Sequence, residues 1–223
     1  MTRKLLLLNG MTPGGRVFRK LRPLLSNYEV VDWIDPGDTV SVADYARRLV
    51  GEMQLDSPCD VLGVSFGGIV AQELAPLIGA ELCFVVSSVT APSELSDIGR
   101  LLGIMPDSLQ DLMLNSVGRS AASWPSQSSA STVRARKFAG SDGRWFRWAT
   151  AAVLGWRPKP NGSDHSVVRI HGDRDKTFPR GHEFADYVIG GADHLLAISY
   201  AQDLADIVTE YRDKLERTQR VNC

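Results

Sequence analysis

Short apolar runs recur along the chain, and between them apolar positions fall three and four residues apart. The first pattern marks buried strands, the second the inner faces of helices. Their alternation is that of a parallel sheet covered by helices on both sides. Strands are predicted at Lys4–Leu8, Glu29–Trp33, Asp60–Val64, Leu82–Ser87, Ser166–His171 and Asp186–Ile189. A helix opens at Ser41-Val42-Ala43-Asp44, a start resembling a capping box, and carries Val42, Tyr45, Ala46, Leu49 and Met53 on one face. A last helix, from Ala201 to Leu215, does the same with Leu204, Ile207, Val208, Tyr211 and Leu215. The fold class expected is α/β: a three-layer α/β/α arrangement with a mostly parallel sheet of about six strands.

Between Thr90 and Gly162 the rhythm breaks, with roughly seventy residues between two strands that a short crossover would otherwise join. The segment has helical spacing at Leu95–Leu102, Asp107–Leu114 and Arg144–Leu154, a serine-rich loop at Ser120–Ser131, and four of the five tryptophans (Trp124, Trp145, Trp148, Trp156). It reads as a helical lid, residues 90–162, inserted into a core of residues 1–89 and 163–223. A lid so placed covers the carboxyl edge of the sheet, where open α/β sheets bind ligands. Trp145 and Trp148, three apart, fit either an anchor for the lid helix or the wall of a pocket.

Composition narrows the functional classes. A chain of 223 residues with 43% hydrophobic and 23% charged content is long enough for one α/β domain. Its formal net charge of −1 gives no reason to expect nucleic acid or an anionic membrane as partner. Leu5–Leu8 behind Arg3-Lys4 imitates a signal peptide, but the run stops at Asn9-Gly10 and reads as the first strand. No segment has the ~20 apolar residues that span a bilayer. The three cysteines are an odd number without ligand spacing to a histidine, and Cys83 falls inside an apolar run, so a reducing, cytoplasmic setting is expected.

Chemistry concentrates at Gly63-Val64-Ser65-Phe66-Gly67, followed by Gly68. A strand ends there and a helix begins, so the serine sits on a tight turn that tolerates only small neighbours. Its hydroxyl projects at the carboxyl edge of the strand, and the following amide and the helix dipole face any negative charge that forms. A serine hydroxyl needs a base, and the base needs an orienting acid. Of the four histidines, His194 follows the last strand and a Gly190-Gly191 turn, again at the carboxyl edge. His171 ends a strand and fits a core or strand-end role, His165 lies in a polar loop, and His182 begins a short amphipathic stretch. The loop His171-Gly172-Asp173-Arg174-Asp175 offers two acids: Asp175 lies deeper and can reach a neighbouring loop, whereas Asp173 can cap the turn through backbone amides.

Ser65 in its elbow, His171-Gly172-x-x-Asp175 with Phe178-Pro179, and Gly191-x-x-His194 resemble the three signatures of the α/β-hydrolase superfamily, in its usual order and over nearly the whole chain. The resemblance implies Ser65 as nucleophile, Asp175 as acid and His194 as base, and a cap inserted after the strand Leu82–Ser87. It also implies an oxyanion hole from the backbone N–H groups of Phe66 and Met11, leaving those two side chains free to shape an acyl pocket. The loop Asn9–Gly15 lacks the Lys-Ser/Thr ending of a phosphate-binding loop. Two departures stand out: Asn9-Gly10 replaces the family's frequent His-Gly, and the sheet begins at the oxyanion strand, a minimal version with six strands rather than eight. An edge left open this way allows a monomer or a homodimer. The expected activity is hydrolysis of a small carboxylic ester or thioester through an acyl-serine, with no metal or organic cofactor. The alternatives are another triad reaction (acyl transfer, C–C hydrolysis, a lyase) or a ligand-binding module on the same scaffold.

Overall fold

The structure is a computed structural model that describes residues 3–12, 14–54, 57–95, 144–158 and 165–221. All six predicted strands are present: β1 (Lys4–Leu8), β2 (Tyr28–Val31), β3 (Cys59–Val64), β4 (Leu82–Val86), β5 (Ser166–Gly172) and β6 (Tyr187–Ile189). They form one sheet in the order β2-β1-β3-β4-β5-β6, and every pair is parallel. β2 stops short of Trp33 because its ladder with β1 runs from Leu5↔Tyr28 to Leu8↔Val31, and β1 ends there. The helices are α1 (Val42–Met53), α2 (Phe66–Leu74), α3 (Arg144–Gly155), α4 (Leu196–Ser199) and α5 (Ala201–Val221), the last running beyond its predicted end. The helix expected at Asp107–Leu114, the loop Ser120–Ser131, Trp124 and all but the first residue of Leu95–Leu102 lie outside the described residues.

The period-two alternation of a strand divides β1 between two cores. Leu6 and Leu8 pack with Val61 and Val85 against α1, α2 and α3. Leu5 and Leu7 pack with Leu62, Phe84 and Ile170 against Phe18, Leu21 and the buried faces of α4 and α5. Each fully buried aliphatic side chain contributes about 1.5–3 kcal/mol, so both layers hold the sheet. Ser41 caps α1 as its sequence predicts: its Oγ accepts the Asp44 amide at 3.1 Å and donates to Asp44 Oδ2 at 2.7 Å. Cys83 is fully buried, and burial pushes its thiol up to about 12, which makes it an inert core residue. Among the described residues no helix is long and apolar enough to cross a membrane.

The strand order places the site. The connection that leaves β1 runs to β2 on one side, and the one that leaves its neighbour β3 runs to β4 on the other. A crevice therefore opens beyond the carboxyl ends of β1 and β3, the place where such sheets bind ligands. The loop Asn9–Met11 leaves β1 there, and Ser65 leaves β3.

Candidate active site

Ser65 occupies the turn between β3 and α2 with φ 55° and ψ −121°, a backbone conformation that a residue with a side chain rarely adopts. Its neighbours explain how the turn is tolerated. A Cβ on Gly63 would stand 2.1 Å from the Gly67 carbonyl oxygen, and one on Gly67 would stand 2.3 Å from that of Asn9. The strand end, the first turn of α2 and the loop after β1 thus meet backbone to backbone, which only glycine allows. The turn is also held from β4: the Ser65 amide donates to Val86 O at 2.9 Å, and Ser88 Oγ donates to Ser65 O at 2.6 Å. Gln72 Nε2 then joins Gly68 O and Val89 O, both at 2.9 Å.

The structure brings Ser65, His194 and Asp175 together. His194 Nε2 lies 3.0 Å from Ser65 Oγ, and His194 Nδ1 lies 2.8 Å from Asp175 Oδ2. His194 is brought there by the loop that follows β6, and Asp175 by the loop after β5. The two loops are tied together: Arg174 N donates to Ala192 O at 2.9 Å, and Asp173 Oδ1 accepts the Gly191 amide at 2.7 Å. A Cβ on Gly172 would collide with the same Ala192 carbonyl at 2.2 Å. Asp173 is therefore an exposed bracket between loops, whereas Asp175 is buried.

Asp175 is surrounded by donors. Its Oδ1 accepts the Thr177 and Phe178 amides at 2.7 and 3.0 Å. His171, buried at the end of β5, places Nε2 3.1 Å from Asp175 Oδ2 and 3.1 Å from Phe178 O. Burial by itself would raise the carboxyl pKa. The hydrogen bonds from His171 and His194, the charge of His194 and the Phe178 amide outweigh it and hold the group well below the usual carboxylate range. These surroundings therefore favour the ionised carboxylate. The strand-end reading of His171 holds, but its approach to Asp175 depends on how the loop folds back, which residue spacing does not show. Gly181 makes room for that ring, since a Cβ there would fall 2.2 Å from His171 Cε1.

Phe66 and Met11, the residues expected to supply an oxyanion hole, both adjoin the serine turn. Phe66 opens α2, so its N–H has no intrahelical acceptor. Met11 belongs to the loop after β1, and a Cβ on its neighbour Gly10 would lie 3.7 Å from Ser65 Cβ. The Phe66 side chain departs from expectation. It is not free to shape a pocket, being 2% exposed and set edge-on to Trp33 and Trp145 with ring centroids 5.3 and 5.7 Å away. Trp145 is an anchor: it is buried, and its Nε1 donates to Met11 O at 2.8 Å.

A model of the alpha/beta hydrolase family matches residues 5–217. The chain belongs to that family. No individually curated protein matches it. Among solved structures, this alpha/beta hydrolase is similar to a putative lipase from Acinetobacter baumannii AYE, with TM-score 0.69, 16% identity, and coverage of 97% of this chain and 85% of the other. It is similar to a carboxylesterase structure from the thaumarchaeon Nitrososphaera gargenis, with TM-score 0.65, 17% identity, and coverage of 97% and 92%. It is also similar to the type II thioesterase BorB from the borrelidin biosynthetic cluster, with TM-score 0.61, 16% identity, and coverage of 95% and 90%. At these identities the likeness is one of fold.

Proposed function

We propose that this alpha/beta hydrolase is a serine hydrolase that cleaves a small carboxylic ester or thioester through an acyl-serine intermediate. The observation that carries the reading is the continuous relay Ser65 Oγ–His194 Nε2–His194 Nδ1–Asp175 Oδ2, with links of 3.0 and 2.8 Å. In the acylation step His194 Nε2 takes the Ser65 proton as Oγ bonds to the carbonyl carbon, and the carbonyl electron pair moves onto oxygen. That oxyanion rests on the Met11 and Phe66 amides, each worth roughly 3–4 kcal/mol in the transition state. The pair returns, the bond to the leaving oxygen or sulfur breaks, and His194 gives that atom the proton. Water then repeats the sequence on the acyl-serine, with His194 as base, and releases the acid. Asp175 holds His194 with Nδ1 protonated and offsets the charge of the imidazolium. Esters and thioesters are the substrates favoured because their carbonyls accept serine directly, and the carboxylesterase and thioesterase neighbours support the choice.

The test is intact-mass labelling with a fluorophosphonate probe beside turnover of p-nitrophenyl acetate and acetyl thiocholine, on wild type and Ser65→Ala. Stoichiometric labelling that the variant loses, with turnover reduced by several orders of magnitude in a folded protein, is the expected result. A folded wild type that neither labels nor turns over either substrate overturns the reading in favour of a ligand-binding role.

A further inference from the structure

The amide of Met11 can stabilise an oxyanion only if the Gly10–Met11 peptide keeps one of its two faces toward Ser65. Nothing in the local chain guarantees that. Gly10 has no Cβ, so rotation of this peptide meets little steric resistance on its amino-terminal side. The peptide plane must be held from outside, and the hold is visible: Trp33 Nε1 donates to Gly10 O at 2.7 Å. The chain contains no cis peptide among its described residues, and in a planar trans peptide the C=O and the following N–H point in opposite directions. A bond that fixes the Gly10 oxygen therefore aims the Met11 N–H the other way.

We propose that Trp33 is a positioning residue for the oxyanion site, acting through the Gly10 carbonyl on the Met11 amide; this rests on the serine-hydrolase reading above. Reversal of the peptide would leave the indole N–H of a side chain that is 3% exposed without an acceptor, a costly state for a buried donor. The hold is rigid because Trp33 is itself fixed. The next residue, Ile34, exchanges two hydrogen bonds with the Tyr45 hydroxyl, at 3.0 Å through its amide and 3.1 Å through its carbonyl. Trp145 binds the following carbonyl, Met11 O, and its ring lies 5.6 Å from that of Trp33. Phe66, whose amide is the second donor, is edge-on to both indoles. One aromatic cluster thus locates both donors relative to each other.

The experiment replaces Trp33 with phenylalanine and, separately, with 3-benzothienylalanine, which keeps the shape of the indole and removes only its N–H. Trp156→Phe is the control, since it deletes another buried indole donor, one bound to Glu73 Oε1 at 2.8 Å. Ester turnover and inhibition by trifluoroacetophenone, whose serine adduct carries an oxyanion, are measured on each folded protein. Both Trp33 variants should lose kcat by roughly 10- to 100-fold with KM changed less than about threefold. Affinity for the ketone should fall by about the same factor as kcat/KM, and Trp156→Phe should stay within about twofold of wild type in every kinetic value. A benzothienyl variant with wild-type kcat and ketone affinity overturns the positioning role and leaves the hydrolase reading intact. A folded wild type that neither turns over ester nor binds the ketone overturns both.

Discussion

Two carboxylates of one loop, Asp173 and Asp175, are separated by a single residue yet meet different surroundings. Asp173 is exposed and accepts one amide, that of Gly191, whereas Asp175 is buried and engages His194, His171 and two amides. The contrast gives a kinetic prediction. Asp175→Asn removes the charge that stabilises the imidazolium and favours the wrong tautomer of His194, so kcat should fall by about 10⁴-fold. Asp173→Asn keeps an acceptor oxygen for Gly191 and should stay within about tenfold of wild type. Steady-state ester hydrolysis on the two variants measures the difference, and equal losses would remove Asp175 from its proposed role. Sequence spacing singled out Ser65, His194 and the deeper aspartate because each lies just past a predicted strand end. It could not single out Trp33 or the His171 contact. Those depend on which strand pairs with β1 and on how the loop after β5 folds back over Gly181.

At the scale of elements, the strand–turn–helix unit from β3 to α2 carries the strain, and its glycines are contacts rather than spacers. Gly63→Ala forces a Cβ to 2.1 Å from the carbonyl oxygen of Gly67, a residue packed so closely on the loop after β1 that a Cβ of its own would fall 2.3 Å from Asn9 O and 2.4 Å from Leu8 O. The only relief is to open the turn, which moves Ser65 Oγ away from His194. Loss of about 3 kcal/mol or more in urea unfolding is expected, together with at least about a 100-fold drop in kcat. A Gly63→Ala protein with both values near wild type would show that the turn has slack the contacts do not suggest. The elements themselves were largely legible, since fully buried parallel strands leave uninterrupted apolar runs such as Leu5–Leu8 and Leu82–Val86. Where the reading slipped, pairing decided: β2 ends with its partner, and Trp33 turns from a strand residue into a bracket over the loop after β1.

Across the whole molecule the two ends of the sheet are used differently, and their separation can be tested. The carboxyl end holds Ser65, His194 and Asp175; the amino end holds a buried ionic cluster around Asp60. Asp60 Oδ1 accepts the Leu82 amide at 3.1 Å and lies 3.3 Å from Arg3 Nε, while Arg212 of α5 approaches Oδ2 at 3.9 Å. Arg212 is 6% exposed and also donates to the carbonyls of Arg3 and Ser26, so one guanidinium joins the last helix to the residue before β1 and to the turn before β2. Arg212→Met keeps most of the side-chain volume while removing that charge and its donors. Such a deletion leaves Asp60 with less compensation in a buried setting, and breaking buried pairs of this kind costs about 3 kcal/mol or more. For a domain of this size that is a fall in Tm of roughly 6–12 °C. Because the cluster lies at the far end of strands that are locked along their length by the parallel ladders, kcat at 25 °C should remain within about twofold of wild type. Thermal melts and ester assays on one preparation read both quantities. A large loss of kcat without a shift in Tm would show that the amino end of the sheet helps to place the site. A lower Tm with unchanged kcat would assign the cluster to holding α5 on the sheet.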